Sequence, residues 1–357
     1  DYDATTSLPL RTYASGKLQQ AFTYYSDGTI NTISDGNNNV TTLSNWKRGI
    51  PQSIRYADGT TRSTVVNDHG WITSITDETK SMTCYRYDVM GRLDRILYPS
   101  ETADEACDTS AWHATIFGFE HRNLDEHGLP AGHWLRQEVT GNYRKNTFFD
   151  ALWRPVLVHE YDAANTEASL RATGVTYDHE GRATFASYPV NNRVMGTTGI
   201  RTSYDALGRV KSISQDSEHG PLTTATEYLA GFKTRVTAPR GTQATTEYQV
   251  FDRPSTEAPV GITVTDGALT AVTEIQRDIF SKPLRITRRN ADGSQRIDRH
   301  YVYDGYQQLC KTIEPETGAT VMDYDGAGNL QWSAAGLGLL STSSCDTLAG
   351  RESGRKV

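Results

Sequence analysis

One phrase recurs along the chain. Tyr-Asp, two variable residues, Gly-Arg and an apolar residue appear as YDVMGRL from Tyr87, YDHEGRA from Tyr177 and YDALGRV from Tyr204, and YDGAGNL from Tyr324 carries Asn in place of Arg. Looser copies keep the spacing: YDGYQQL from Tyr303, FDALWRP from Phe149, YQVFDRP from Tyr248 and YYSDGTI from Tyr24. Fainter ones start at Tyr2, Val66 and Arg277, and segments near Trp46 and Tyr228 fill the longest remaining gaps outside residues 88–148. The anchors at 2, 24, 46, 66 and 87 lie 20 to 22 residues apart, and steps of 27 to 29 elsewhere read as loop insertions. A period of this size describes one supersecondary unit stacked many times, not a series of unrelated domains.

The unit reads as a hairpin. Pro/Gly/Asp turns and Thr-rich runs precede the anchors, as in PRGTQATTEY ending at Tyr248 and PETGATVMDY ending at Tyr324. In the clearest copy, Asp205 suits the first position of a type I turn and Gly208 the fourth. The Asp205 carboxylate is expected to accept a backbone N–H two residues on, and Gly208 to take positive φ and return the strand. Tyr204 ends the incoming strand and covers the hairpin with its ring. Arg209 opens the outgoing strand and pairs with an aspartate of its own turn or a neighbouring one. After it, Val210 and Ser212 face one way and Lys211 and Ile213 the other, a strand alternation. The same structural roles fall to Tyr87, Asp88, Gly91 and Arg92; to Tyr177, Asp178, Gly181 and Arg182; to Tyr303 and Asp304; and to Tyr324, Asp325 and Gly328. No helical period longer than two turns is present. The expected fold is all-β: repeated hairpins forming one long spiralling sheet of about 26 strands, which must twist and curl rather than lie flat. A Tyr/Asp/Arg set can also suggest acid–base chemistry. Here it occurs about a dozen times and tolerates Phe149 for Tyr and Trp153 for Gly, which a structural role survives and catalysis does not. No catalytic residue and no cofactor are assigned.

Composition narrows the function classes. The net charge of −7 argues against nucleic acid as partner. No apolar run is long enough for a membrane span. There are 19 Tyr against 9 Phe, and 27 Arg against 9 Lys, which suits strands that are half buried and half wet and carboxylates held in fixed geometry. None of the four cysteines forms a CxxC pair. They read either as two disulfides, most simply Cys84 with Cys107 and Cys310 with Cys345, or as isolated thiols in strands. The chain opens in DYDATTSL and stops in GRESGRKV, and both ends look cut from something longer.

The YDxxGRL pattern, matched in full from Tyr87 to Leu93 and more loosely from Tyr2 to about Leu330, resembles the YD repeat of the RHS family. That family includes bacterial Rhs toxins, the B and C components of Tc toxins, and the teneurins. The resemblance implies a hollow β-sheet shell, which in the toxins encloses a C-terminal toxic polypeptide. The self-cleaving segment with its DPxGL-type motif, which ends the shell in the toxin branch, is not seen in this sequence. Residues 1–342 are expected to form the repeat sheet, with an irregular long-loop repeat at about 99–147, and 343–357 a further truncated repeat or a tail.

The irregular region carries the other candidates. Glu120, His121, Asp125, Glu126, His127 and His133 could converge on a metal, but the spacing matches no compact zinc pattern; the plainer reading is a long polar turn around 125–132. Trp112 and Trp134 are candidate glycan contacts, with Phe117 and Phe119 nearby. Asn39-Val40-Thr41 fits a glycosylation sequon, meaningful only in a secreted eukaryotic protein. The leading expectation is therefore a non-enzymatic, exported, secreted or cell-surface wall fragment. Its partners would be the rest of its own chain, with an enclosed toxin, and a secretion apparatus or a surface glycan. A surface adhesion body of the teneurin kind and a β-rich carbohydrate-active enzyme are the alternatives.

Overall fold

A computed structural model describes residues 1–108, 110–250, 255–337, 342, 344, 345, 355 and 356. It is a single antiparallel meander of 28 strands among these residues. Every strand pairs with the next one in sequence, from Arg11–Ala14 and Lys17–Tyr24 to Leu330–Leu337 and Arg355–Lys356. About 26 strands are expected from the repeats; the unit at Tyr2 supplies only Arg11–Ala14 after an isolated Tyr2–Pro9 bridge, the irregular region supplies a hairpin of its own, Thr115–Arg122 with His133–Thr140, and Arg355–Lys356 follows the last hairpin. The rest of 343–357 lies largely outside the described residues. Among the described residues, helix is confined to the connection at 163–169, a 3-10 turn followed by one α turn.

Because the strands alternate in direction, the turns fall on two rims. The Tyr-Asp turns line one, here the motif rim. The Thr/Gly/Pro turns line the other, the return rim. Each strong Tyr-Asp copy carries a register shift just before its tyrosine, as between Ser203 and Tyr204 and between Arg86 and Tyr87. This is a β-bulge, which sharpens the local twist. Repeated in most of the hairpins, it curls the ribbon. The curl is complete: Asn37 on the return rim donates to Asp325 on the motif rim (2.8 Å), 288 positions later. Beside it Lys17 donates to Gln308 (3.0 Å) and to the Asp325 carbonyl, and the Asn37 side chain accepts from the Ala327 N–H (3.0 Å). The first and last strands do not pair with each other, so the ribbon overlaps itself at a seam of turns and is not closed into a barrel.

The wall is one sheet thick, and most strand residues are only half buried. A buried hydrophobic cluster forms where two long connections fold over the same face. Leu135, Phe148, Leu157 and Ala172, all nearly inaccessible, pack beneath Leu129 from the connection at 123–132 and Val190 from that at 188–198. Val190 also bridges to Ala172, and Gly174 leaves room for Met195, since a Cβ there would lie 2.5 Å from the Met195 Cβ. Cys84 is bonded to Cys107 and Cys310 to Cys345. The first bond holds the irregular 98–114 connection against the strand Met82–Tyr87.

Candidate functional site: the Tyr-Asp fastener and the loop-covered face

In the copy from Tyr204, Asp205 is the centre of the turn. Its Oδ1 accepts the backbone N–H groups of Leu207 and Arg209 (2.9 Å each), and its Oδ2 accepts Arg209 Nε and Nη2 (2.7 Å each). Gly208 has φ +77° and donates to the Asp205 carbonyl (3.0 Å). The hydrogen bond from the Arg209 side chain holds the Asp205 carboxyl below its ordinary value. Asp88, Asp150 and Asp178 repeat this geometry with Arg92, Arg154 and Arg182. Where Arg is replaced, the turn persists without the fork: Asp304 accepts the N–H groups of Tyr306 and Gln308, and Asp325 those of Ala327 and Asn329.

The same arginine reaches the next hairpin. Arg209 lies over the Tyr228 ring at 3.8 Å, Arg182 over Tyr204 at 4.7 Å, Arg154 over Tyr177 at 4.5 Å and Arg92 over Phe119 at 5.0 Å. The covered tyrosine reaches back, donating its hydroxyl to the carbonyl just after the arginine: Tyr228 to Val210, Tyr204 to Ala183 and Tyr177 to Pro155. Tyr87 and Tyr324 make the same bond to Ile72 and Leu309, whose preceding residues are Trp71 and Gln308. Asp and Gly thus shape a hairpin, while Arg and the following Tyr lock one hairpin to the next. The sequence motif shows the first role. The second depends on which side chain lies across the sheet, about one repeat later.

On the loop-covered face, three imidazoles surround Phe148, which is 1% exposed. Their ring centroids lie 5.3 Å (His127), 5.7 Å (His133) and 5.1 Å (His159) from it. His159 faces the Arg193 carbonyl at 2.8 Å. Both ring nitrogens of His133 face oxygens, Pro130 O at 2.8 Å and Glu126 Oε1 at 3.1 Å. Glu126 also accepts Arg122 Nε (2.7 Å), whose Nη1 holds Glu120 (2.9 Å). The Arg122 hydrogen bond and the one from His133 keep the Glu126 carboxyl below its usual range against the opposing effect of burial. Burial pushes the His127 and His159 rings down. The polar turn expected at 125–132 is present, but it folds over the face of Phe148, and His133 and His159 are almost fully buried. Among the described residues, no group of three or more His, Cys, Asp or Glu is arranged to hold a metal ion.

The opposite face carries an aromatic stack. Trp134 lies against Trp153 (5.0 Å) and Phe119 (5.6 Å), Trp153 against Phe119 (5.4 Å), and His121 meets the edge of Trp134 (4.8 Å). Trp153 occupies the turn position that Gly takes in other copies, at φ +63°, and is half exposed. Trp112 is not brought to this stack. It precedes the strand Thr115–Arg122 at the return rim, whereas Trp134 pairs with His121 near the motif rim. Among the described residues, no helix is long and apolar enough to cross a membrane.

The crystal structure of TcdB2-TccC3-Cdc42 matches 89% of this chain with a TM-score of 0.66 at 14% identity. TcdB2-TccC3 without its hypervariable C-terminal region matches 95% of the chain, with a TM-score of 0.66 and 14% identity. A Tc holotoxin pore from Photorhabdus luminescens, carrying a TccC3 substitution, matches 89%, with a TM-score of 0.65 and 16% identity. The fold is shared. This chain spans 17 to 18% of the length of those chains. No protein-family model and no curated protein matches it.

Proposed function

We propose that the chain is a length of RHS/YD-type shell wall that surrounds a polypeptide of its own longer chain for export and delivery. The observation that carries this reading is the ribbon itself: one sheet thick, unbroken, and curled until residue 37 meets residue 325. Its likeness in fold to the TcdB2-TccC3 structures supports the same reading. In this account the Tyr-Asp-Gly-Arg sets fasten hairpins and perform no chemistry, and the wall acts by isolating its contents. The two disulfides support an exported location, since such bonds persist where the surroundings are oxidising. Imaging the full-length protein tests the proposal. A continuous wall with polypeptide density inside, and an interior segment resistant to protease until the wall is unfolded, is expected. An empty ribbon, or a segment cleaved as fast with the wall as without it, contradicts it.

The half-exposed Trp153, stacked on Trp134 and Phe119, favours one second reading, a surface that binds glycans. Aromatic faces offer stacking area at low entropic cost. A glycan array with the intact protein and Trp153→Ala separates the two: binding lost with Trp153 supports a binding body, and no binding by either leaves the wall alone.

A further inference from the structure

The connections at 123–132 and 188–198 meet over one face of the sheet. Leu129 of the first and Val190 of the second cover the apolar patch of Leu135, Phe148, Leu157 and Ala172. Val190 exchanges backbone hydrogen bonds with Ala172 (2.8 and 3.0 Å), and Asn191 donates to the Glu167 carbonyl (3.0 Å). A pair of imidazoles stands where the two connections and the sheet come together. His127, from the first connection, meets His159, from the strand Pro155–Asp162, at 4.8 Å, and each presents an edge contact with Phe148. His159 in turn faces the Arg193 carbonyl of the second connection at 2.8 Å. The two rings thus tie both connections to the wall.

This arrangement suits neutral rings. A carbonyl only accepts, so His159 Nε2 carries its proton and donates to Arg193. A second proton would go to Nδ1, on a residue only 2% exposed, and would place a charge out of water. The groups around the pair offer little relief. Glu126 stands 3.7 Å from His127 but already accepts Arg122 and faces His133. Arg122, from the strand Thr115–Arg122, also holds Glu120. His133 comes from the next strand, and Arg193 comes from the second connection with Glu167 at 3.7 Å. Loss of hydration outweighs the Glu126 charge and, for His159, the Arg193 hydrogen bond, so both rings are pushed below the ordinary histidine value.

We infer that the His127–His159 pair is an acid-operated latch, whose protonation releases the connections at 123–132 and 188–198 and uncovers the apolar patch beneath them. The closed arrangement is favoured above about pH 6.5 and lost as pH falls through the closed-state values, because the open arrangement takes up protons first. Each ring that titrates one unit lower when closed changes the closed-to-open ratio about tenfold. The strands below are paired with their neighbours and stay in place. This goes beyond the wall reading and does not depend on what the wall encloses.

A neutral apolar dye, Nile red, reads the patch on the intact chain. Its fluorescence is expected to rise reversibly as pH falls from about 7 to 5, with a midpoint below about 6.5, while the circular dichroism of the strands stays constant. His127→Gln with His159→Gln, which cannot titrate, is expected to lose the rise. His121→Gln, on the opposite face against Trp134, is expected to keep it. If the double variant does not fold at neutral pH, His127→Gln alone decides, with a smaller rise expected. No rise in the wild type, a rise that comes with loss of strand signal, an undiminished rise in the His127 and His159 variants, or an equal loss in His121→Gln overturns the inference.

Discussion

Arg209 makes two contacts with one guanidinium: it forks onto Asp205 of its own turn and lies over the Tyr228 ring of the next hairpin. An Asp–Arg pair this exposed contributes little alone. The stack makes it a fastener between repeats, and a double-mutant cycle of Arg209→Ala with Tyr228→Leu should show a coupling of about 0.5–1 kcal/mol in denaturant melts. Zero coupling would mean that the stack is incidental. The turn glycines give a graded test. Gly208→Val forces a β-branched residue to φ +77°, at a cost of about 1–3 kcal/mol. Gly91→Val should cost more, because a Cβ there lies 2.7 Å from Trp71 Cζ2, whereas Gly208 meets only the end of Arg182 at 3.4 Å. Equal losses would contradict that reading. The Asp-x-x-Gly turn is legible in the sequence because all its bonds fall within four residues. The stack is not, because its partner is set by strand order and register.

Hairpins become a wall through their connections, and the two long ones at 123–132 and 188–198 meet over a histidine pair, His159 buried and His127 half buried. His127 and His159 stand 4.8 Å apart, with Glu126, Arg122, His133 and Arg193 as the charged or titratable neighbours. Loss of hydration on folding pushes both rings below the ordinary histidine value of 6.5. As pH falls, the unfolded state therefore takes up protons first. The stability of this patch is full above about pH 6.5 and is lost as pH drops through the folded values. Hydrogen exchange in both connections should speed up between pH 7 and 5. His159→Gln, which keeps a donor for the Arg193 carbonyl and does not titrate, should flatten that rise; an unchanged rise would place the sensor elsewhere. The Cys84–Cys107 bond encloses a loop of 23 residues. Removing it by Cys84→Ser with Cys107→Ser should cost about 2–4 kcal/mol, read as a lower melting temperature. The irregular repeat at 99–147 is visible in the sequence as broken spacing. Its packing over the face of Phe148 is not, because a run rich in His, Glu and Asp reads as solvated. The hint lies in the partner strands, where His133 and Leu135 on one and Leu157 and His159 on another share the face of Phe148.

At the scale of the whole molecule, the repeat motif makes an all-β ribbon legible, because each copy predicts one hairpin. The place where the ribbon meets itself is not legible, because Gly36 and Gly326 are ordinary turn glycines until curvature brings them together. Asp325 joins the two scales. The Asn37 hydrogen bond leads the effects that hold its carboxyl down at about 2, and Arg296 does the same for Asp298. With folded values below the ordinary 3.8, the unfolded chain takes up protons first in acid. Stability from these carboxylates is present above about pH 4 and lost as pH falls toward 2, so the melting temperature should drop steeply in that window. Gly36→Val, which cannot fit against the Gly326 carbonyl, should open the seam while leaving the strand content unchanged.

This chain curls into one complete coil. Spin labels at Asn38 and Gly305, exposed turn residues on opposite rims beside the seam, test it through their pulsed electron–electron distance. A single short, narrow distribution that lengthens and broadens in Gly36→Val is the result predicted. A long or broad distribution in the unmutated chain would show an open ribbon and contradict the account.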